Sequence, residues 1–331
     1  LEFEEIEEKI RSGAPTPCRQ QRGKVIPFDA RDEYIAFLKQ YVGDYSQLKI
    51  GIDCSNGMAA LLVKQLLGNH PIYIYDELDG TFPNHEANPL IAKNIVDLQN
   101  LVKKGACDLG IIFDGDADRV MFVDENARFI SPDLMIALLG HYFLEEKGQK
   151  GLVLQDIRTS KAVGEYLKPL GGQMHTWRVG RAFAAMKLRE IDGIYGGELA
   201  GHYYFKDFFY SDSGLMACLI ILNVIARFKK QGFTLSQLIA RIETYANSGE
   251  INFRIERKKE AMDAVRDFFT SLEKPSASYD FDGYRIEFPD WWFNIRPSNT
   301  EPFLRFLAEA KTQQILDGKL LEVRRILDKF V

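Results

Sequence analysis

The chain has 331 residues, 46% of them hydrophobic, and a net charge of −5. That length and apolar content support two to four domains with sizeable cores, and the absence of any long basic cluster argues against a nucleic-acid surface, so an anionic ligand would be held by a few placed arginines. The most apolar run, 215–228, is too short to span a bilayer, and Cys18, Cys54, Cys107 and Cys218 form no CxxC pair, so neither membrane, zinc nor disulfide framework is expected and a reducing cytoplasm fits best.

In chain order, Phe3, Ile6 and Ile10 fall at helical spacing, and residues 1–15 read as the last helix of a preceding domain. Residues 12–22 are rich in Gly, Pro and polar groups and read as a linker. A first α/β unit is expected over 16–130, with strands at 48–53, 72–75, 109–113 and 120–123 and helices at 58–67 and 92–104. A second spans 131–248. There Ser131 as N-cap and Pro132 open a helix over 134–146, followed by strands at 152–156, 173–178 and 193–195, helices at 161–167 and 181–190, and a buried helix from Leu215 capped by Asp212. Beyond Ser248 and Gly249 the pattern becomes strand 251–256, helix 260–272, strands 284–288 and 303–308, and helix 316–330, a unit over 249–331. The fold class expected is two consecutive doubly wound α/β domains of mixed sheet followed by a small α+β C-terminal domain, with ligand loops at strand carboxyl ends.

Three loops carry chemistry. Asp114, Gly115, Asp116, Ala117, Asp118 and Arg119 lie between two apolar, strand-like runs. Three carboxylates at the end of a buried sheet are costly unless a hard cation with oxygen ligands neutralises them, which points to Mg²⁺, and Arg119 sets a positive fork beside it. An EF-hand reading would use Glu125 as the twelfth residue, but Arg119 occupies the sixth position, where the turn needs glycine, and the flanks are strands. In the second loop, Gly196 to His202, Glu198 can accept two sugar hydroxyls and His202 can shuttle a proton. The third, Arg296, Pro297, Ser298, Asn299, Thr300, Glu301 and Pro302, offers one guanidinium, two hydroxyls and an amide to a phosphate dianion.

Together DGDADR at 114–119, GELAGH at 197–202 and RPSNTEP at 296–302 resemble the α-D-phosphohexomutase superfamily, and its phosphomannomutase/phosphoglucomutase group in particular. Further similarity lies in IDCSNGMA at 52–59, LDGTFPNHEANP at 78–89 and YFKDFFYSDSG at 204–214. The resemblance implies an intramolecular phosphotransferase that moves a phosphoryl group between the 1- and 6-positions of a mannose or glucose phosphate through a phosphoserine enzyme and a bound 1,6-bisphosphate. It assigns one Mg²⁺ to Asp114, Asp116 and Asp118, the charge of the transferring phosphoryl group to Arg119, a catalytic positive charge near the sugar to Arg158, and general acid/base work to His202. Glu198, Ala200, His202 and Arg181 would face the sugar, and Arg296, Ser298, Asn299 and Thr300 the phosphate that does not react. Departures are arginines at 158 and 181, where the family has lysine and histidine, and Leu199 and Ala200 in place of methionine and serine. No Thr-Ala-Ser-His-Asn-Pro segment, the family's phosphoserine loop, occurs in the sequence, so the chain is read as lacking the domain that bears it and as inactive alone. Expected partners are hexose phosphates and hexose 1,6-bisphosphate, with no nucleic acid or membrane, in a monomer or weak dimer. A phosphoglucosamine mutase and a non-catalytic sugar-phosphate-binding protein are the alternatives.

Overall fold

A computed structural model describes residues 2–13, 23–298 and 302–330. The chain opens with α1 (Glu2–Arg11), whose Phe3, Ile6 and Ile10 all face solvent, and α2 (Arg31–Lys39), which buries Ile35 and Leu38. The first sheet follows from β1 (Ile50–Asp53), α3 (Val63–Leu67), β2 (Ile72–Ile74), α4 (Val96–Gly105), β3 (Leu109–Phe113), β4 (Val120–Asp124) and β5 (Phe129–Ile130). Its order is β2-β1-β3-β4-β5, parallel across β2, β1 and β3 and antiparallel beyond. Short 3-10 turns at Met58–Leu61 and Ala92–Ile95 lead into α3 and α4, so each of the two expected helices is split in two.

The middle unit comprises α5 (Leu134–Gly140), β6 (Leu152–Asp156), α6 (Lys161–Leu167), β7 (Gln173–Trp177), α7 (Arg181–Glu190), β8 (Tyr195–Gly197), β9 (Tyr203–Phe205), β10 (Ser211–Asp212), α8 (Gly214–Lys230) and α9 (Leu235–Ile242). Its sheet runs β10-β9-β8-β6-β7, with β8, β6 and β7 parallel. Two expected caps are corrected. Ser131 does not cap α5 with its side chain; its hydroxyl donates to Asp133, and the helix widens into a π turn over His141–Glu146. Ser213, not Asp212, caps α8, its Oγ accepting from Met216 N at 3.1 Å. β8 also begins two residues later than expected, because the Gly193 amide is used to close the end of α7 on Leu188 O.

The last unit holds β11 (Ala246–Asn247), β12 (Ile251–Arg254), α10 (Lys258–Leu272), β13 (Ala277–Tyr279), β14 (Tyr284–Glu287), β15 (Trp291–Pro297), β16 (Phe303–Ala310) and α11 (Gln313–Leu327). Its sheet is antiparallel throughout, β11-β16-β15-β14-β13, with β12 also on β16. The first two sheets share one hydrophobic core, filled by α5 and the almost wholly buried α8. The third sheet has its own core beneath α10 and α11. No described helix is long and apolar enough to cross a membrane. The loops after β1, β3, β6, β7 and β8 all leave the carboxyl ends of parallel strands, where ligand sites of such sheets form.

Candidate active site

The acidic loop closes the β3–β4 hairpin. Asp114 is buried and accepts from the Arg119 amide at 3.1 Å and from Arg119 Nε at 2.7 Å. Asp116 is exposed and Asp118 half-buried, and one oxygen of each of the three carboxylates lies within 4.8 Å of the others. Burial lifts the Asp118 carboxyl, His202 lowers it, and the charges of Asp114, Asp116 and Asp212 lift it further, to about 6. Three hard oxygen donors this close, crowded enough to hold one proton, fit a divalent cation of the Mg²⁺ type. The loop after β1 braces this turn: Ser55 Oγ donates to Phe113 O at 2.6 Å and Met58 N to Gly115 O at 2.9 Å.

The glycine-rich loop comes to the same place. Val120 N donates to Gly201 O, so Arg119 and His202 form an isolated bridge between the first and second sheets. His202 Nδ1 lies 2.7 Å from Asp212 Oδ2 and 3.7 Å from Asp118. Burial pulls this imidazole down, but the Asp212 hydrogen bond and the charges of Asp118 and Glu198 hold it above its ordinary value. Arg181 Nε reaches both Asp212 oxygens, at 2.7 and 2.9 Å, and stands 3.6 Å from Asp118. Although burial raises Asp212, these two partners keep it below the usual carboxylate range. The structure therefore brings Asp118, His202, Arg181 and Asp212 together, and Asp212 is the member that sequence reasoning missed.

Glu198 is 3% exposed and accepts from Gly180 N at 2.9 Å. Burial first, then the Asp156 charge, raises its carboxyl. Ala200 sits half-buried in the turn that Gly201 N closes on Glu198 O. Asp156 binds the Leu199 amide and holds Arg158 through its amide, Nε and Nη2. Arg158 also lies 3.9 Å from Glu250, at the start of the last unit. Arg296, at the end of β15, is 5% exposed, and its Nε has no hydrogen-bond partner among the described residues. Burial and then the nearby Arg158 charge lower its proton affinity. Ser298 is buried beside it, its amide donating to Phe303 O; Asn299 and Thr300 lie outside the described residues. The cleft thus has a carboxylate end, a guanidinium end, and Glu198 feeling the charge of both Arg158 and His202 between them.

An acidic loop, a buried glutamate–histidine loop and an arginine delivered from a separate antiparallel sheet define the layout of the α-D-phosphohexomutase class of α/β proteins. The chain belongs to the phosphoglucomutase/phosphomannomutase family: its residues 32–127 match alpha/beta/alpha domain II, 131–245 alpha/beta/alpha domain III, and 250–325 the C-terminal domain. A phosphomannomutase of Methanocaldococcus jannaschii is 36% identical over 287 residues, 86% of this chain. The chain spans 62% of that relative's length. A protein of Xanthomonas campestris described as phosphohexose mutases is 34% identical over 95% of the chain and 68% of its own length. Among solved structures, a phosphoglucomutase/phosphomannomutase family protein from Burkholderia thailandensis shares the fold at a TM-score of 0.84 and 24% identity, covering 99% of this chain and 70% of that one. An Aspergillus fumigatus N-acetylphosphoglucosamine mutase, solved with GlcNAc-6P and magnesium, shares it at 0.65 and 16%, over 90% and 65%.

Proposed function

We propose that this chain carries the cation, sugar and phosphate subsites of a phosphohexomutase acting on mannose or glucose phosphates. The observation that carries the reading is Arg296: a buried guanidinium whose Nε has no partner among the described residues, set beside a second buried guanidinium, is stabilised by an anion between them. Phosphate on a hexose supplies that anion, and the hexose supplies hydroxyls for Glu198. Asp114, Asp116 and Asp118 would hold Mg²⁺, which when bound supplies positive charge against a transferring phosphoryl group. His202 shares Nδ1 with Asp212, leaving Nε2 to give or take a sugar hydroxyl proton. Arg181 is held by Asp212 and Asp118 at the rim of this end. The residues of this chain bind and orient the ligand; with no Thr-Ala-Ser-His-Asn-Pro segment to carry the phosphoryl group, turnover by these 331 residues alone is not expected.

Calorimetric titration with glucose 1-phosphate, mannose 1-phosphate, glucosamine 1-phosphate and inorganic phosphate, each with and without Mg²⁺, tests the reading. One hexose phosphate should bind at least about tenfold tighter than inorganic phosphate. Equal affinity for all four would leave only an anion site and remove the sugar from the proposal.

A further inference from the structure

The third sheet meets the middle unit through a buried polar face. On β14, β15 and β16 alternate residues such as Ile286, Phe293 and Phe306 fill the sheet's own core, so the residues between them line the opposite side. Arg285, Trp292, Asn294, Arg296 and Glu309 are there, none more than 5% exposed. Arg285 uses its guanidinium in three directions. Nη1 donates to Ile157 O at 2.9 Å and Thr159 O at 2.6 Å, Nε donates to Glu287 at 2.7 Å, and the plane lies 3.8 Å from the Trp292 ring centroid. Trp292 Nε1 in turn donates to Glu309 Oε2, which also accepts from Ser160 Oγ.

The bonds among these that leave the third sheet, from Arg285 to the Ile157 and Thr159 carbonyls and from Ser160 to Glu309, all end on the 157–160 turn, and the two carbonyls that Arg285 holds flank Arg158. Arg296 stands on the same face of β15 as Trp292, four residues and roughly 13 Å further along. A small tilt of the sheet at Trp292 is therefore carried along β15 to Arg296, while Arg158 stays with the middle sheet through Asp156. The covering of this contact is charged and specific where an apolar one would allow sliding.

We infer that Arg285, seated on Trp292, is a positioning residue that sets the separation of Arg158 and Arg296, and so matches the cleft to a phosphorylated sugar instead of a bare anion. This rests on the sugar-phosphate reading above. Arginine suits the task because one rigid plane reaches two carbonyls and a carboxylate while its face stacks on the indole, which the flexible ammonium of lysine cannot reproduce.

The test compares the full 331-residue chain with its Arg285→Met and Arg285→Lys variants in three readouts: binding of inorganic phosphate, binding of glucose 1-phosphate, and hydrogen exchange of a peptide covering 155–161. In Arg285→Met, glucose 1-phosphate should bind about tenfold more weakly, inorganic phosphate within about twofold of the parent, and the peptide should exchange faster, while peptides of the first sheet are unchanged. Arg285→Lys should fall between; if the methionine variant does not fold, this variant decides. Equal loss for both ligands, or no loss for either, overturns the inference. If the parent itself does not prefer glucose 1-phosphate, it is the sugar reading that fails, and exchange alone then judges the contact: unchanged protection at 155–161 overturns it.

Discussion

Asp212 governs the acidic end of the cleft through two partners, His202, which shares a hydrogen bond with it, and Arg181, whose Nε reaches both its oxygens. Replacing it by asparagine removes a full charge from a residue that is itself 5% exposed, so His202 loses the strongest of the interactions that favour its protonated form while keeping the burial that opposes it. The His202 titration in metal-free Asp212→Asn should move downward by about one pH unit or more, read from the imidazole resonances by NMR. A midpoint that stays in place would mean that Asp118 and Glu198 hold the proton without help. The residue types of this end were legible in the sequence: the alternating aspartates, Glu198 and His202 each signal themselves by charge in a turn between apolar strands. Asp212 did not. It precedes Ser213 at the start of an apolar helix, and either residue is a competent N-cap by type. Only the two-residue strand β10 decides that Ser213 turns to the helix amides while Asp212 turns to the cleft.

At the scale of elements, α8 is wedged so closely against the acidic loop that its first residue has no room for a side chain. A Cβ on Gly214 would stand 2.7 Å from Ala117 O and 3.0 Å from the Arg119 carbonyl. Alanine gains helix propensity, worth about 0.5–1 kcal/mol in a helix interior, but contact with a backbone that is itself pinned by Asp114 costs about 1–3 kcal/mol. Gly214→Ala should therefore lower the thermal midpoint and weaken Mg²⁺ binding together; a variant with the parent's Mg²⁺ affinity would show that the loop yields without losing its geometry. Periodicity revealed most long elements here, including β3, β4, α7 and α8. It passed over α9, although Thr234 and Gln237 form the capping box that a Thr-x-x-Gln spacing announces. The polar face of the third sheet was illegible for a different reason. Charged residues alternating with apolar ones, as Arg285 and Glu287 do with Ile286, read as a solvent face, and only tertiary packing reveals that this face is covered.

Across the whole molecule the joints differ in kind. The first and second sheets share an apolar core around α8, whereas the third is attached through buried ionisable groups, among them Glu309. Glu309 accepts from Ser160, Asn247 and Trp292, beside a cavity of about 270 Å³ that Asp133 also lines. Burial, then the Asp133 charge, raises its carboxyl to about 7 in spite of those three donors. A carboxyl raised on folding binds its proton more tightly in the folded than in the unfolded chain. Its contribution to stability is therefore full below the unfolded value near 4.5 and is lost as the pH climbs to about 7. A shift of that size corresponds to on the order of 3 kcal/mol across the window. Glu309→Gln removes the titration but gives the site an amide whose oxygen can serve only some of the three donors, so the variant should start less stable at pH 5 and change less by pH 8. Urea unfolding of both proteins at the two pH values separates these effects: the gap between parent and variant should narrow as the pH rises, and a gap of constant width would mean that Glu309 keeps an ordinary carboxylate affinity inside the joint.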